Sequence, residues 1–583
     1  WADRRMRFFG IVRGRGGKYF GDGGLVEVSG KEELYFDGSV DTTAANGKTG
    51  TLLLDPDTIT IADGSGTTTA SGASTFTTIY EDTLEAVSST TNITLLATSS
   101  ILLSDLSDNL LNLQQGSGNS VTFTVTAGTI SFASSTDTIS TNGGDITFSA
   151  TGDLTIGSLT SNGGNISLTG DDFSLSGTLS SGAGNISITH ADSGKIGIGG
   201  TSCTGSCDLS INTTELGNMS GNKLIIGGST NGDIYVDGIT QTTSTFSNGV
   251  ELNVDAHLSG SKGAIIFEGS ASSFSTLDAS AGDGVEVNAN LTTTTGALTL
   301  DGDSDNAVDT LSGNDYIIFA SGITLTSAGN ISLSATNGGM TAAGALTLSA
   351  TSGLTMTGAM TGAGAVALTA NSGITLNSSV STSSGSLNIN ANSSALSLGS
   401  VTLSSAGALT LSSSSISSSG NLALTSTGST ISVGSAVTSS GSVAMTASSG
   451  LTLSNSTLTG SGSVSLEGGS ALTLASGTTI TSSAGSITLG ASTGSITANG
   501  ALTLSSNGSI TVSNTMTTAG AATFNANSGI TLATNVTTNG ATVMDADLDN
   551  NGSGDFTISS GSLSTTNNAL TVTADDLVLT GTI

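Results

Sequence analysis

The sequence TNGGDITFSATGDLTIGSLTSNGGNISLTG, residues 141–170, contains nearly the same phrase twice. Residues 144–148 return as residues 164–168 and again as residues 184–188, at a constant interval. Apolar and polar residues alternate within each copy, which is the pattern of a β-strand with one buried face. The phrase therefore predicts one strand position to which the chain returns at that interval.

A finer rhythm divides each interval. Leu346 is followed after eight, six and six positions by Leu354, Met360 and Val366. Gly, Ser, Asn and Thr separate the apolar segments, so each interval holds three short strands and three corners. We therefore predict an all-β fold, a right-handed parallel β-helix (β-solenoid) with three short strands per coil of about 20 residues. Each coil rises by one strand spacing, about 4.8 Å.

The phrase Gly-x-apolar-x-apolar recurs through the later part of the chain. Its first residues are Gly344, Gly364, Gly385, Gly407, Gly420, Gly441, Gly462, Gly485, Gly500 and Gly520. Most steps between them are close to the length of one coil, but the steps from Gly407 to Gly420 and from Gly485 to Gly500 are clearly shorter. We interpret the short steps as coils that lack one arm, and the corner glycines as residues that supply positive φ angles.

Departures from the repeat divide the sequence into four segments. Residues 1–60 carry a family signature, and residues 61–300 hold coils with irregular corner loops and both cysteines. Residues 301–544 are regular repeats of low charge, in which Glu467 is the only charged residue between Tyr316 and Met544. Residues 545–583 are coils without an evident cap, which predicts that the molecule continues or that copies stack end to end into a filament.

The chain is acidic: 43 Asp and Glu against 11 Lys and Arg give a formal net charge of −32. This charge disfavours nucleic acid and anionic membranes as partners and favours divalent cations. The sequence has no apolar run of bilayer-spanning length and no visible signal peptide, and it begins at Trp1. We expect a processed or excerpted piece of a longer protein.

The two cysteines, Cys203 and Cys207, form a CTGSC motif. In an acidic chain rich in Gly, Ser and Thr, the pair predicts an extracellular disulfide worth roughly 2 kcal/mol. Two free thiols are the alternative. A metal site is not indicated, because no further His or Cys lies nearby.

The N-terminal run GDGGLVEVSGKEELYFDGSVDTTAANGKTGTLLLDPDTITI, residues 21–61, resembles the filamentous haemagglutinin family of large secreted adhesins. WADRRMRFFG, residues 1–10, fits the same family. The later phrases LDGDSDNAVDT and DADLDNNGSGDFTI are similar to recurrent phrases of these repeat-rich proteins. The resemblance is specific over the N-terminal segment, residues 1–60. In the rest of the chain it lies in the general style of the repeats.

The resemblance implies a right-handed β-helix, two-partner secretion through an outer-membrane pore of a Gram-negative bacterium, and attachment to cells, surfaces or a biofilm matrix. One departure bears on the secretion route. The family's secretion domain carries Asn-Pro motifs, whereas the single proline here is Pro56, after Asp55. No Arg-Gly-Asp motif occurs, so no receptor follows from the sequence.

An enzyme is a remote alternative, because some parallel β-helices degrade polysaccharides with Asp, Arg and Lys in a groove. Here the basic residues end at Lys262, and no such set recurs at matching coil heights. The two histidines, His190 and His257, are interpreted as solvated loop residues. We expect no enzymatic activity and assign no catalytic residue.

Two runs of alternating aspartates are candidate calcium ligands, since alternate carboxylates in a loop can converge on a hard ion. They are Asp301, Asp303 and Asp305, and Asp545, Asp547 and Asp549. Neither run has the glycine and glutamate positions of an EF-hand. The alternative is that these aspartates stabilise solvated turns.

Two functions remain open at the level of sequence. The first is an extracellular adhesin stalk or filament subunit that contacts cell-surface or matrix glycans. The second is a passive sheath or matrix scaffold that contacts only copies of itself. Retention of glycan-bearing material by the protein would distinguish the adhesin from the scaffold.

Overall fold

The predicted fold class is confirmed. The computed structural model describes residues 1–65, 77–200, 207–254, 263–306 and 315–583. The chain is nearly all parallel β with almost no helix, and it forms a β-solenoid of about 24 turns with roughly 22 residues per turn. Its residues group into two compact units: the first contains 1–296 and 301–314, the second 297–300 and 315–583. The four segments distinguished by sequence stay a prediction.

Five ladders of parallel strands build most of the first unit. Ladder 1 contains Leu25–Val28, Thr51–Leu54, Asn92–Ala97, Ser120–Val125, Asp145–Ala150, Ile166–Gly170, Ile186–His190, Leu224–Gly227, Val250–Val254 and Leu277–Ala281. Ladder 2 contains, in spatial order, Thr78–Tyr80, Thr58–Ala62, Ser100–Leu103, Thr129–Phe132, Leu154–Ile156 and Phe173–Leu175. Ladder 3 contains Leu110–Gly116, Thr138–Asn142, Ser158–Thr160, Leu179–Ser180 and Met219–Ser220.

The remaining strands of the first unit form two shorter ladders and two pairs. Ladder 4 contains Ile196–Gly199, Leu209–Asn212, Ile234–Asp237, Ile265–Glu268 and Val285–Val287, and ladder 5 contains Ser272–Phe274 and Leu291–Thr293. Arg5–Phe8 pairs with Glu33–Phe36, and Ile11–Arg13 pairs with Ser39–Asp41. Two short helices also belong to this unit, α1 (Glu81–Glu85) and α2 (Thr213–Gly217). No helix in the described ranges is long and apolar enough to cross a membrane.

Three ladders build the second unit, with one strand of each per coil. Ladder A contains Leu298–Asp301, Ile331–Ser334, Leu354–Thr357, Ile374–Leu376, Ala395–Leu398, Ser415–Ser418, Ala436–Ser439, Thr457–Gly460, Thr478–Ser482, Leu502–Ser506, Ala522–Ala526, Thr542–Asp545 and Leu570–Thr573. Ladder B contains Tyr316–Phe319, Gly339–Ala342, Met360–Gly362, Val380–Thr382, Val401–Ser405, Leu422–Ser426, Val443–Ala447, Val464–Gly468, Ile487–Ala491, Ile510–Val512, Ile530–Leu532, Phe556–Ile558 and Leu577–Leu579. Ladder C contains Ile323–Ser327, Leu346–Ala350, Val366–Ala370, Leu387–Asn390, Leu409–Ser412, Ile431–Val433, Gly450–Leu453, Ala471–Leu474, Ser495–Ala498, Met516–Thr518, Val536–Thr538 and Leu563–Ser564.

The repeated phrase of residues 144–148 is one strand position of ladder 1. Ile146 pairs in register with Ile166, and Ile166 with Ile186, and all three side chains are fully buried. Because equivalent residues of successive coils are paired directly, each inward side chain packs on its equivalent one coil away. The column of isoleucines predicted from the repeat interval is therefore present.

The interpretation of the short steps, from Gly407 to Gly420 and from Gly485 to Gly500, was wrong. The strands that follow the phrase glycines from Gly344 to Gly407 lie in ladder C. The strands that follow the phrase glycines from Gly420 to Gly485 lie in ladder B, and the strands that follow Gly500 and Gly520 lie in ladder A. Every coil of these steps keeps three strands. The phrase changes ladder at each short step, and the coil itself loses no arm.

The glycine of the phrase is needed for close approach of consecutive coils. A Cβ on Gly184 would overlap the carbonyl group of Gly164, and one on Gly164 would lie 2.5 Å from the carbonyl carbon of Gly144. Real Cβ atoms do not come this close to backbone atoms. Positive φ angles are found instead at the preceding residue, with +94° at Gly143 and +117° at Gly163. Gly385 of the phrase has a positive φ as well, at +79°, so the predicted role in φ is found both at a phrase glycine and at neighbouring corner glycines.

A buried hydroxyl closes the corner before each of these phrase glycines. Thr141, Ser161 and Ser181 are at most 1% exposed. Their hydroxyls donate to the carbonyl oxygens three residues ahead, at Gly144, Gly164 and Gly184, over 2.6, 2.5 and 2.7 Å. Because a buried hydroxyl without a partner is costly, this side-chain bond is what allows a polar residue inside the coil.

Replacing Ser161 by alanine is expected to destabilise its coil by about 1–2 kcal/mol, since the carbonyl oxygen of Gly164 loses its hydroxyl donor. Amide hydrogen exchange across residues 155–175 measures the effect locally. Ser167, which points outward from the next strand, is the matched control, and its alanine variant should change the local free energy by less than about 0.5 kcal/mol. Equal losses in both variants would contradict the proposed corner bond.

Candidate cation-binding corners

Asp301, Asp303 and Asp305 lie at the end of strand Leu298–Asp301 and in the turn that follows it. The backbone N–H of Asp303 donates to Asp301 Oδ1 over 3.1 Å. Asp303 is fully buried, whereas Asp305 is exposed. The contact between the first two residues is that of a local turn, and calcium binding by the three stays a prediction.

Asp545 is the last residue of strand Thr542–Asp545 in ladder A, and Asp547 and Asp549 lie on the loop that follows this strand. Asp547 is 8% exposed, and its carboxylate accepts from the backbone N–H of Asn551 and of Gly552 over 3.0 and 3.1 Å. Asp549 accepts from the Asn551 amide over 2.9 Å. Two of the three aspartates therefore stabilise the loop, as the turn alternative supposes, and the calcium hypothesis stays a prediction here too.

A different trio of carboxylates comes together where two successive coils lead from ladder A into ladder B. Oxygens of Asp555, Asp575 and Asp576 lie within 4.8 Å of one another, and all three residues are exposed. Asp555 and Asp576 precede Phe556 and Leu577, which pair in register in ladder B. Sequence reasoning missed this cluster, although the shared position before two ladder B strands was a usable signal. Within the described ranges this is the one group of three acidic, His or Cys side chains with such convergence.

The cysteine and histidine predictions have different outcomes. Cys207 is disulfide-bonded, and Cys203 lies outside the described residues. His190 is 3% exposed, so its interpretation as a solvated loop residue was wrong. It is the last inward residue of strand Ile186–His190 and pairs with Gly170. Its ring lies against Gly194, where a Cβ would be only 2.4 Å from the ring carbon Cε1. His257 lies outside the described residues.

The His190 ring lies between two carboxylates. Its Nε2 is 3.3 Å from Asp171 Oδ1, and its Nδ1 is 3.0 Å from Asp192 Oδ1. The backbone N–H of Asp192 donates to the same Nδ1 over 3.1 Å. The buried ring is therefore flanked by one acidic residue in the adjacent coil and one in the turn that follows its own strand.

The most unusual carboxyl environment lies in the irregular region of the first unit, where ladder 2 turns toward ladder 3. Glu81 begins helix α1 and is 7% exposed. Its Oε1 accepts from the backbone N–H of Gly64 over 2.8 Å. Its Oε2 is buried and has no hydrogen-bond partner among the described residues. A buried charged oxygen without a partner is expensive, so this position requires a physical explanation.

The groups around Glu81 are acidic. The pKa of Glu81 is raised to about 7, chiefly by burial, with Asp63 and Asp108 contributing in the same direction and the hydrogen bond from Gly64 opposing them. Burial also raises the pKa of Asp137, as do the charges of Asp105 and Asp108. The ionised forms of these carboxyls are therefore destabilised where they lie.

Asp137 repeats the situation of Glu81 in a later coil. It is fully buried, and its Oδ2 accepts from the backbone N–H of Leu106 over 3.3 Å. Its Oδ1 is buried without a hydrogen-bond partner in the part of the chain that the structure describes. Two carboxyl groups with an unbonded buried oxygen therefore lie along the same edge of the solenoid.

No protein-family model and no curated protein matches the chain.

Proposed function

We propose that this protein is an extracellular structural and adhesive element of a Gram-negative bacterium, a surface stalk or filament subunit that acts in attachment or in cell–cell and biofilm contact. The supporting resemblance is that of residues 21–61 to filamentous haemagglutinins. By the same resemblance, export uses two-partner secretion through an outer-membrane pore. Absence of enzymatic activity stays a prediction.

The observation that carries the proposal is a column of hydroxyl side chains on the outer face of ladder C. Successive coils pair its members in register without interruption, and none of them is buried. They are Thr410, Ser432, Thr452, Thr473, Thr497, Thr517, Thr537 and Ser564. A hydroxyl therefore recurs at each strand spacing, about 4.8 Å.

Such a face can contact a neutral polymer by many weak bonds. Each hydroxyl both donates and accepts, and the nearly uncharged stretch from Tyr316 to Met544 offers little electrostatic attraction or repulsion. Multiple weak contacts on a regular array can hold a polysaccharide by avidity, although each contact alone is weak. The chemistry favours matrix or cell-surface glycans over charged partners.

We expect two acidic substitutions on this face, Thr452→Glu with Thr497→Glu, to reduce retention of the protein on immobilised polysaccharide by about tenfold or more, because a carboxylate pressed into a contact loses hydration. The matched control places the same charges at outward positions of ladder B that carry no hydroxyl, as Ala423→Glu with Ala444→Glu. Retention is measured on matrix glycans and on bare support.

The outcomes separate the two functional classes. Loss of retention in the ladder C variant alone supports the adhesin and places its contact on that face. Equal retention of wild type, variant and control on glycans would remove ladder C from the contact. A wild type that binds copies of itself but no glycan would support the passive sheath or matrix scaffold.

End-to-end stacking of copies into a filament is part of the same proposal. Each coil offers backbone N–H and C=O groups along the stacking direction, so a further coil can add by parallel strand pairing. Sedimentation and electron microscopy of the full chain over a range of concentrations test this. Particles of one fixed length at all concentrations would contradict it.

A further inference from the structure

Asp63 and Glu81 are brought side by side by an unusual strand order. Strand Thr78–Tyr80 pairs with Thr58–Ala62, and Ala62 lies opposite Tyr80. Asp63 and Glu81 are the next residues of these two strands, so their backbones leave ladder 2 together. Their carboxyl groups lie close enough for each to affect the pKa of the other. The pairing therefore places two acids at one corner, although the whole of residues 64–80 separates them along the chain.

Each of the two carboxyl groups is fixed through one oxygen. Asp63 Oδ1 accepts from Ser107, from its backbone N–H over 2.9 Å and from its hydroxyl over 2.7 Å. Glu81 Oε1 accepts from the backbone N–H of Gly64. The remaining Glu81 oxygen, Oε2, is buried and unbonded among the described residues. The side chains are therefore held in place while an acceptor oxygen stays unused.

No basic side chain is available in this stretch of sequence to balance the charge. The chain has no Lys or Arg between Lys48 and Lys195. Asp108 adds a third negative charge toward Glu81. Like charges at a few ångströms repel more strongly in a partly buried site than in water, because the effective dielectric constant is lower. The corner therefore needs a positive partner that the nearby sequence does not supply.

We propose that this corner binds a divalent cation, calcium by preference, with the carboxylates of Asp63 and Glu81 as its protein ligands. Calcium prefers oxygen ligands and accepts irregular geometry completed by water, whereas magnesium demands a near-ideal octahedron. Metals that prefer nitrogen or sulfur are disfavoured, because residues 49–189 contain no His or Cys.

A cation here would fasten helix α1 to the solenoid. Glu81 is the first residue of α1, and Glu85 at its other end accepts from the backbone N–H of Asn112 in ladder 3 over 2.6 Å. The helix is thus held at one end by a hydrogen bond and at the other by the proposed ion. Loss of the ion would loosen the helix and the strand Thr78–Tyr80 that leads into it.

The test compares the full chain, stripped with a chelator, with the same chain in millimolar calcium, at mildly alkaline pH. Calorimetric titration measures binding of calcium, and amide hydrogen exchange locates it. We expect slower exchange in residues 58–65 and 77–113, with a dissociation constant on the order of 10⁻⁴ to 10⁻³ M, the range of extracellular calcium modules.

Variants assign the effect to the corner. Glu81→Gln keeps an acceptor for Gly64 and can donate to Asp63, so it preserves the local fold while removing a charged ligand. We expect it to weaken the calcium-dependent protection of residues 77–113 by about tenfold or more. The control Asp555→Asn with Asp575→Asn alters the exposed trio and should leave that protection unchanged.

Three results would overturn the proposal. The first is exchange in residues 58–65 and 77–113 that calcium does not slow in the wild type. The second is a calcium response that Glu81→Gln retains in full. The third is protection obtained by acidification alone, with no calcium response at mildly alkaline pH, which would mean that the two carboxyls share a proton.

Discussion

Replacing Phe148 by alanine is expected to destabilise the first unit by about 3–5 kcal/mol, because the cavity left in a stacked core cannot close. Phe148 is fully buried in ladder 1. Its ring lies 4.6 Å from the Phe123 ring and 6.2 Å from the Phe132 ring, measured between centroids. The truncation therefore removes a contact with the ring one coil away in ladder 1, at Phe123, and a contact with the Phe132 ring in ladder 2.

Hydrogen exchange across residues 120–170 measures this loss, with chemical denaturation as a second observable. The largest effect should fall on the coils that contain Phe123, Phe148 and Leu168, since each coil of a solenoid packs only on its neighbours. Thr147→Ala, in the same strand with its side chain outward, should change the free energy by less than about 0.5 kcal/mol. A uniform loss over the whole unit would show that its coils unfold as one block.

The second large effect is expected at Gly184, where alanine should cost about 3 kcal/mol or more, because backbone in a paired ladder cannot move aside without breaking hydrogen bonds. The added Cβ would overlap the backbone carbonyl of Gly164. The measurement is the thermal midpoint of the full chain, together with exchange across residues 160–190. The strain should appear on both sides of the overlap, at Gly164 and at Gly184.

Gly217 provides the control for the glycine substitution. It is the last residue of α2, and a Cβ there would meet nothing within 4 Å. Gly217→Ala should be neutral or stabilising by up to about 1 kcal/mol, because alanine is the better helix former. Similar destabilisation by both substitutions would contradict the close-approach explanation and point to a general intolerance of β-carbons.

The fold was predictable because its cause is local and repeated. The alternation around Ile146, Ile166 and Ile186 specifies both the strand and the length of one coil. The meaning of the short steps was not predictable in the same way. A glycine phrase looks alike wherever it occurs, and only the pairing of Leu409 with Ile431, and of Leu422 with Val443, shows that they belong to different ladders.

The candidate sites were far less accessible from sequence. Asp63 and Glu81 meet because strand Thr78–Tyr80 pairs on one side of Thr58–Ala62 while Ser100–Leu103 pairs on the other. That strand order follows from tertiary packing and leaves no periodic trace. The burial of His190 was missed as well, because it depends on the close approach of Gly194 to the ring, where a Cβ would lie 2.4 Å from Cε1.

The movement of the glycine phrase from one ladder to the next has a consequence for how such a chain can lengthen. The phrase occurs in all three ladders of the second unit, so a repeat unit of one coil can be taken to start at any of the three strands. An in-frame duplication of the codons for one coil therefore adds one complete coil, whichever strand the duplicated segment begins with. Genes for such proteins can gain or lose whole coils without requiring a fixed boundary for the duplicated or deleted segment.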